Sequence, residues 1–169
     1  MSKKIVVAGV GMIPFSKPGA SASYAVMGAQ AARLALADAR GGYGSVQQAC
    51  VSYVYGDSTA GQRVLYDLGL TGISIFNTHN NCASGSSALY LARQAIASGE
   101  ADITLALGFE QMNAGAPRAL FADCPSPLER FVAQCDPVVG GLDVLPAARI
   151  FGRAGVGHMK TLRTAAVAF

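Results

Sequence analysis

An α/β fold with a largely parallel sheet is predicted for this chain of 169 residues, and three observations predict it. Short apolar runs recur at 4–10, 48–55, 73–78 and 102–108. Alanine-rich stretches with apolar residues at helical spacing lie between them. Glycines stand where those stretches should stop. A β-α-β-α-β-α-β order of this kind folds as a parallel sheet joined by right-handed crossovers.

Each element has its own reason. KIVVAGV at 4–10 is short and rich in β-branched residues, as a buried strand is. Residues 24–40 place Tyr24, Met27, Ala31, Leu34 and Ala35 on one helical face, and Gly41-Gly42 ends the run. QACVSYVY at 48–55 alternates as a second strand. Residues 58–69 read as a helix, with Ser58 placed to cap it and Val64, Leu65 and Leu68 on one face. ISIFNT at 73–78 is the third strand. A helix over 82–98 is closed by Gly99, and DITLALG at 102–108 is the fourth strand.

These elements make a first domain over 1–112. From 113 to 146 the texture changes, with Pro117, Pro125, Pro127, Pro137 and Pro146 and the Gly140-Gly141 pair. Residues 113–160 read as an irregular excursion with short helices at 127–134 and 146–160. It is long for a connector and suits a functional insertion. Residues 161–169 form a tail of unclear origin.

Composition narrows the function. Hydrophobic residues are 51% and charged residues 14% of the chain, too apolar for a disordered protein. So little charge implies that part of the surface is covered by a partner or a further segment. Net charge is +3. Basic residues are scattered rather than interleaved with aromatics, so nucleic acid is not the expected partner. Arg118, Arg130, Arg149, Arg153, Lys160 and Arg163 suit an anionic small molecule or an ordinary solvated surface. The four cysteines, at 50, 82, 124 and 135, form no CxxC pair, and no metal site is expected. No apolar run reaches the ~18 residues of a membrane span. The start is too glycine-rich for a signal peptide, and free thiols fit a reducing compartment. Gly9-Val10-Gly11 opens like a dinucleotide loop, but Pro14 stands in place of its third glycine.

The segment with most chemical content is His79-Asn80-Asn81-Cys82-Ala83-Ser84-Gly85-Ser86-Ser87-Ala88-Leu89. A strand ends and a cysteine opens a helix of small residues. Free N–H groups and a partial positive charge at a helix start favour a thiolate, the nucleophilic form. The Cys82 N–H is free to donate to an oxyanion. The small residues let the helix sit deep among its neighbours and shield the thiol from water. A buried structural cysteine in an alanine-rich helix is the other reading. His79, at a strand end, suits a structural role better than a base. Glu110, after a strand, suits an anchor for neighbouring backbone. Cys50 reads as a core residue, and Cys124 and Cys135 as passive thiols.

N-C-A-S-G-S-S-A-L at 81–89, then A-R-Q-A-I-A-S-G and A-L-G-F-E-Q-M, resembles the nucleophile segment of thiolases, most closely the sterol-carrier-protein-x type. Val7–Met12, Tyr53–Arg63, Pro146, Phe151-Gly152, Gly155 and His158-Met159 extend the resemblance over about 4–159. It implies the amino-terminal βαβαβαβ half of a thiolase-like fold with its loop-domain excursion, in an oligomeric enzyme or one completed by a complementing half. It implies that Cys82 takes an acyl group from a 3-ketoacyl-CoA or acetyl-CoA. Coenzyme A is then a substrate, with no further cofactor, and the 113–160 region holds it. His158 and Met159 would line the CoA and acyl pocket. The setting would be cytoplasmic, or peroxisomal in a eukaryote.

The same resemblance calls for more residues: a histidine from an N-E-A-F or H-D-C-F segment, another from G-H-P, and a cysteine from C-x-G-x-G as general acid/base. None occurs in these 169 residues, and the two histidines stand at 79 and 158. The first half is expected to stop before its last strand, because TLRTAAVAF at 161–169 departs from the pattern. Two readings follow: a thiolase-type acyltransferase that is weak or inactive alone, or a non-catalytic thiolase-like subunit or lipid-transfer-associated binding module. A ketoacyl-synthase relative is a third, opposed by Tyr53–Arg63 and His158-Met159.

Overall fold

A computed structural model describes residues 4–112, 123 and 165–168. Five strands and three α-helices follow in the order β1 (Gly9–Met12), α1 (Tyr24–Asp38), β2 (Gln48–Ser52), α2 (Ala60–Leu65), β3 (Ser74–Thr78), α3 (Ser84–Ser98), β4 (Thr104–Gly108) and β5 (Ala165–Ala168), with a 3₁₀ turn at Tyr43–Ser45. They form one sheet in the order β1-β5-β4-β2-β3. β2 pairs parallel with both β3 and β4, and β5 pairs antiparallel with both β1 and β4. The first four strands therefore run the same way, as expected, and a fifth runs against them. The chain divides into a compact unit of 1–114 with 162–169 and another of 115–161. The expected short helices at 127–134 and 146–160 lie outside the described residues.

Side-chain alternation on β2 and β4 sorts the core into two layers. Ala49, Val51, Leu105 and Leu107 face one way and pack with Ala31, Ala32 and Ala35 of α1 and Val64 and Leu65 of α2. Cys50 and Ala106 face the other way and meet Ala88 and Ala92 of α3. Thr104, fully buried, donates its hydroxyl to the Ala92 carbonyl at 3.1 Å, so this polar group costs little to bury.

Several boundaries differ from expectation, each for a reason in the hydrogen bonding. The first strand is 9–12 rather than 4–10. Its ladder follows the short β5, from Gly9 opposite Ala168 to Met12 opposite Ala165, while Val6 and Val7 stay exposed. Glycine decides the place: a Cβ on Gly9 or Gly11 would collide with the backbone of α1. β2 stops at Ser52 because the N–H groups of Val54 and Tyr55 turn to the Glu110 carboxylate. β4 begins at Thr104 because Gln47 Oε1 accepts from Asp102 and Ile103. α2 is shorter than 58–69. Its N-cap is Thr59 in the left-handed region (φ 61°), with no side-chain cap bond, so Ser58 does not cap it. Tail residues 165–168 are a strand, correcting the expectation that the chain stops short of one.

Burial raises the proton affinity of Cys50, Tyr43 and Tyr53 above their ordinary values of 9.0 and 10.0. Each group holds its proton more tightly folded than unfolded. The stability this contributes is intact below the unfolded-state values and is lost as pH rises through the folded-state ones. Urea midpoints are therefore expected to fall steadily between about pH 8 and about pH 11, first from the thiol and then from the phenols. A flat profile over that range would show that these groups ionise freely in the folded chain.

Candidate functional site

Parallel pairing puts the carboxyl ends of β2, β3 and β4 along one edge of the sheet, with Ser52 opposite both Thr78 and Gly108. Three segments leave from that edge: 53–59, 79–83 and 109–112. Ligands of open α/β sheets bind outside such carboxyl ends.

The middle segment carries Cys82, which is an exposed free thiol. It does not open the helix, as expected from sequence, but lies in the turn before it. α3 begins at Ser84 with Ala83 as N-cap. The turn is closed by Ala83 N–H to the Asn80 carbonyl (3.0 Å) and Ser84 N–H to the Asn81 carbonyl (3.1 Å). Asn81, just before the thiol, takes φ 46°. Asparagine is among the few side chains that visit this left-handed region readily. Two hydroxyls from α3 reach back into the turn. Ser84 Oγ accepts from Asn80 N–H at 2.8 Å and donates to the Asn81 carbonyl at 2.7 Å. Ser87 Oγ accepts from Asn80 Nδ2 and donates to the Ala83 carbonyl, both at 3.0 Å.

The expected shielding is not found among the described residues. α3 packs on the sheet through Ala88, Ala92, Ala95 and Ile96, and Leu89, Tyr90 and Leu91 on its other side are exposed. Small residues bring the helix down onto the strands, but they cover nothing above the thiol. His79 is exposed at the end of β3.

The flanking segments are fixed from within the fold. Glu110 accepts from Val54 N–H (2.8 Å), Tyr55 N–H (3.1 Å) and its own neighbour Gln111 N–H (3.2 Å). This is the backbone anchor expected of it. Phe109 stacks between Tyr24 and Tyr53, with ring centroids 5.2 and 5.3 Å away. Asn77 Oδ1 accepts from Gly61 N–H and its amide donates to Gln62, tying β3 to the start of α2. Only glycine fits at 61, where a Cβ would lie 2.9 Å from that of Val51.

Cys50 is buried under α3 and takes no part in the edge. Cys124, Cys135, His158 and Met159 lie outside the described residues. Among the described residues no cluster of His, Cys, Asp or Glu could hold a metal ion, and no helix is long and apolar enough to cross a membrane. Sequence reasoning missed Asn80, Ser84 and Ser87. Their signal was present as hydroxyls at helical spacing after an Asn-Asn pair, but the run was read for smallness alone.

The family model described as thiolase, N-terminal domain, matches residues 5–122. Sterol carrier protein 2 of Homo sapiens is 47% identical over 168 residues, which cover 96% of this chain and 30% of that protein. Non-specific lipid-transfer protein-like 2 of Caenorhabditis elegans is 41% identical over 166 residues, covering 93% of this chain and 39% of that one. This chain therefore spans well under half the length of either relative. Among solved structures, 3-oxoacyl-acyl-carrier-protein synthase III of Aquifex aeolicus VF5 superposes with a TM-score of 0.50 at 25% identity, over 56% of this chain and 32% of that one.

Proposed function

This chain belongs to the thiolase amino-terminal domain family, and we propose that it is the nucleophile-bearing part of a thiolase-type acyltransferase acting on acyl-CoA through Cys82. The observation that carries the proposal is the turn at 80–83. It presents an exposed thiol at the carboxyl edge of a parallel sheet, directly before a 15-residue helix.

In the proposed step the Cys82 thiolate attacks the thioester carbonyl carbon of acetyl-CoA or the 3-keto carbonyl carbon of a 3-ketoacyl-CoA. A Cys82–acyl thioester forms. From acetyl-CoA the bond to the CoA sulfur breaks, and CoA leaves with the electron pair. From a 3-ketoacyl-CoA the bond between the α and β carbons breaks, and acetyl-CoA leaves after taking a proton. CoA then accepts the acyl group and restores the thiol. An amide N–H of the turn stabilises the oxyanion. His158 and Met159 are proposed to line the CoA and acyl pocket, although they lie outside the described residues. The acid/base groups for release and thiolysis are not among these 169 residues. A complementing half is proposed to supply them, and turnover by this chain alone is expected to be weak or absent.

A second reading, a thiolase-like binding module without catalysis, is favoured by the openness of Cys82 and by likeness to a protein named for non-specific lipid transfer. Intact mass separates the two. Incubation with acetyl-CoA is expected to add one acetyl group, mapped to the peptide bearing Cys82 and absent from Cys82→Ala. A folded chain that stays unmodified would favour the binding module.

A further inference from the structure

The geometry points to Ser84 as the positioning residue of the Cys82 turn, an inference that rests on Cys82 being the acyl acceptor proposed above. Ser84 is the first residue of α3 and only 4% exposed. A serine hydroxyl has one proton and two lone pairs. Here the proton goes to the Asn81 carbonyl at 2.7 Å, and one lone pair takes the Asn80 N–H at 2.8 Å. One buried oxygen therefore holds both residues that precede the thiol.

Asn81 is the residue most in need of that hold. Its φ of 46° is accessible to asparagine but is not the conformation the chain prefers. Its carbonyl also receives the Ser84 N–H, so hydroxyl and amide of one residue converge on it. On the other side of Cys82, the Ala83 carbonyl takes the Ser87 hydroxyl. Ser87 is less buried than Ser84, and it reaches the residues before the thiol only through the Asn80 side chain, not through their backbone. The direction of the Cys82 side chain and amide thus depends on Ser84 more than on any other hydroxyl of the turn. Acyl transfer is sensitive to such placement, because attacking atom and oxyanion donor must both be aimed before the substrate arrives.

Removing the hydroxyl leaves the Asn80 N–H without its acceptor and leaves the Asn81 carbonyl with the Ser84 N–H alone, which loosens the hold on its left-handed conformation. The thiol then leaves its place before α3, while the core under the helix stays as it was. Cys50 reports on that core, being buried against Ala88, Ala92 and Ala106.

The test compares the full chain with Ser84→Ala and Ser84→Thr. Labelling of each cysteine by iodoacetamide is followed by peptide mass, with acetyl-CoA as a second probe. Losing these bonds is expected to change the iodoacetamide labelling rate of Cys82 by at least about fivefold in Ser84→Ala, with Cys50 still protected, and Ser84→Thr is expected to return close to the parent rate. Acetylation, where the parent shows it, should fall at least as far. An unchanged Cys82 rate in Ser84→Ala overturns the inference. So does a Cys50 that becomes reactive, which would make Ser84 a support of the core. Should the alanine variant not fold, the near-isosteric pair Ser84→Thr and Ser84→Val carries the same comparison, and failure of both to fold also assigns Ser84 to the core. A parent chain whose Cys82 labels in a Ser84-dependent way but takes no acetyl group upholds the positioning role and removes the acyltransferase reading.

Discussion

Gly11→Val is expected to leave little folded chain. A Cβ at 11 would stand 2.8 Å from that of Leu34 and closer still to the Ala35 nitrogen and the Ala31 carbonyl oxygen. Those are backbone atoms of a helix and cannot rotate away. α1 cannot retreat as a body either, because Ala31, Ala32 and Ala35 are fully buried in the same layer as Val51, Leu105 and Leu107. Overpacking that side chains can absorb costs about 1–3 kcal/mol, and a clash with backbone lies above that range. A whole domain is stable by only about 5–15 kcal/mol. The expected readout is loss of the cooperative urea transition followed by circular dichroism. Gly42→Ala is the control: nothing lies within 4 Å of a Cβ there, and φ is −100°. Its midpoint should move by no more than about 0.5 kcal/mol equivalent. A Gly11→Val chain with the parent's midpoint would mean that α1 does not lie on β1 as described.

The second large effect is expected at Glu110. Replacing it by alanine removes one carboxylate and strands three backbone donors, at Val54, Tyr55 and Gln111. Hydrogen bonds to a charged acceptor are worth more than neutral ones, and some water can replace this half-buried set. The expected loss is therefore about 2–3 kcal/mol. Glu110→Gln keeps one carbonyl oxygen and should lose about half as much. Amide exchange is the more telling measurement. Protection at Val54 and Tyr55 should drop in both variants while that of β2 persists. Equal protection in Glu110→Ala would show that 53–59 is held by other contacts, such as the Tyr53–Phe109 stack.

Glu110 also shows how far the sequence could be read. Its position after an apolar run was enough to expect an anchor, yet the cost of that anchor to β2 was not visible. QACVSYVY alternates to its end, and only the Glu110 carboxylate, from the segment after β4, takes the N–H groups of Val54 and Tyr55 out of the ladder. Gln47 trims β4 in the same way. Local pattern revealed the first four strands and the three helices, their order and the shared direction of those strands, because periodicity and glycine stops are local properties. It missed the edges set by long-range hydrogen bonds. The thiolase-like fold expected from the motifs agrees with the family match over 5–122. Cys82 was legible as the candidate nucleophile, and the structure shows it as an exposed free thiol, but its turn was not legible. A helix start and the turn before it share small and hydroxyl-bearing residues, and the left-handed Asn81 decides between them. The TAAVAF stretch gave too short a signal to be read as a strand, since its pairing partners are so far away in sequence.

That last strand has a consequence for the order of events during synthesis. Among the described residues β5 is the strand neighbour of β1, so the pairing of residues 9–12 waits for residues 165–168. β2, β3 and β4 join one another directly, through contacts nearer in sequence. At about 5–20 residues per second, a ribosome finishes that three-stranded nucleus several seconds before it makes β5. During the interval the β4 edge, with Leu105 and Leu107, is open to any passing strand. Pairing this distant is slow, because loop closure must precede its reward. The nascent chain is thus most exposed to misassembly between the synthesis of β4 and that of β5, and closing the sheet is the step that ends that exposure.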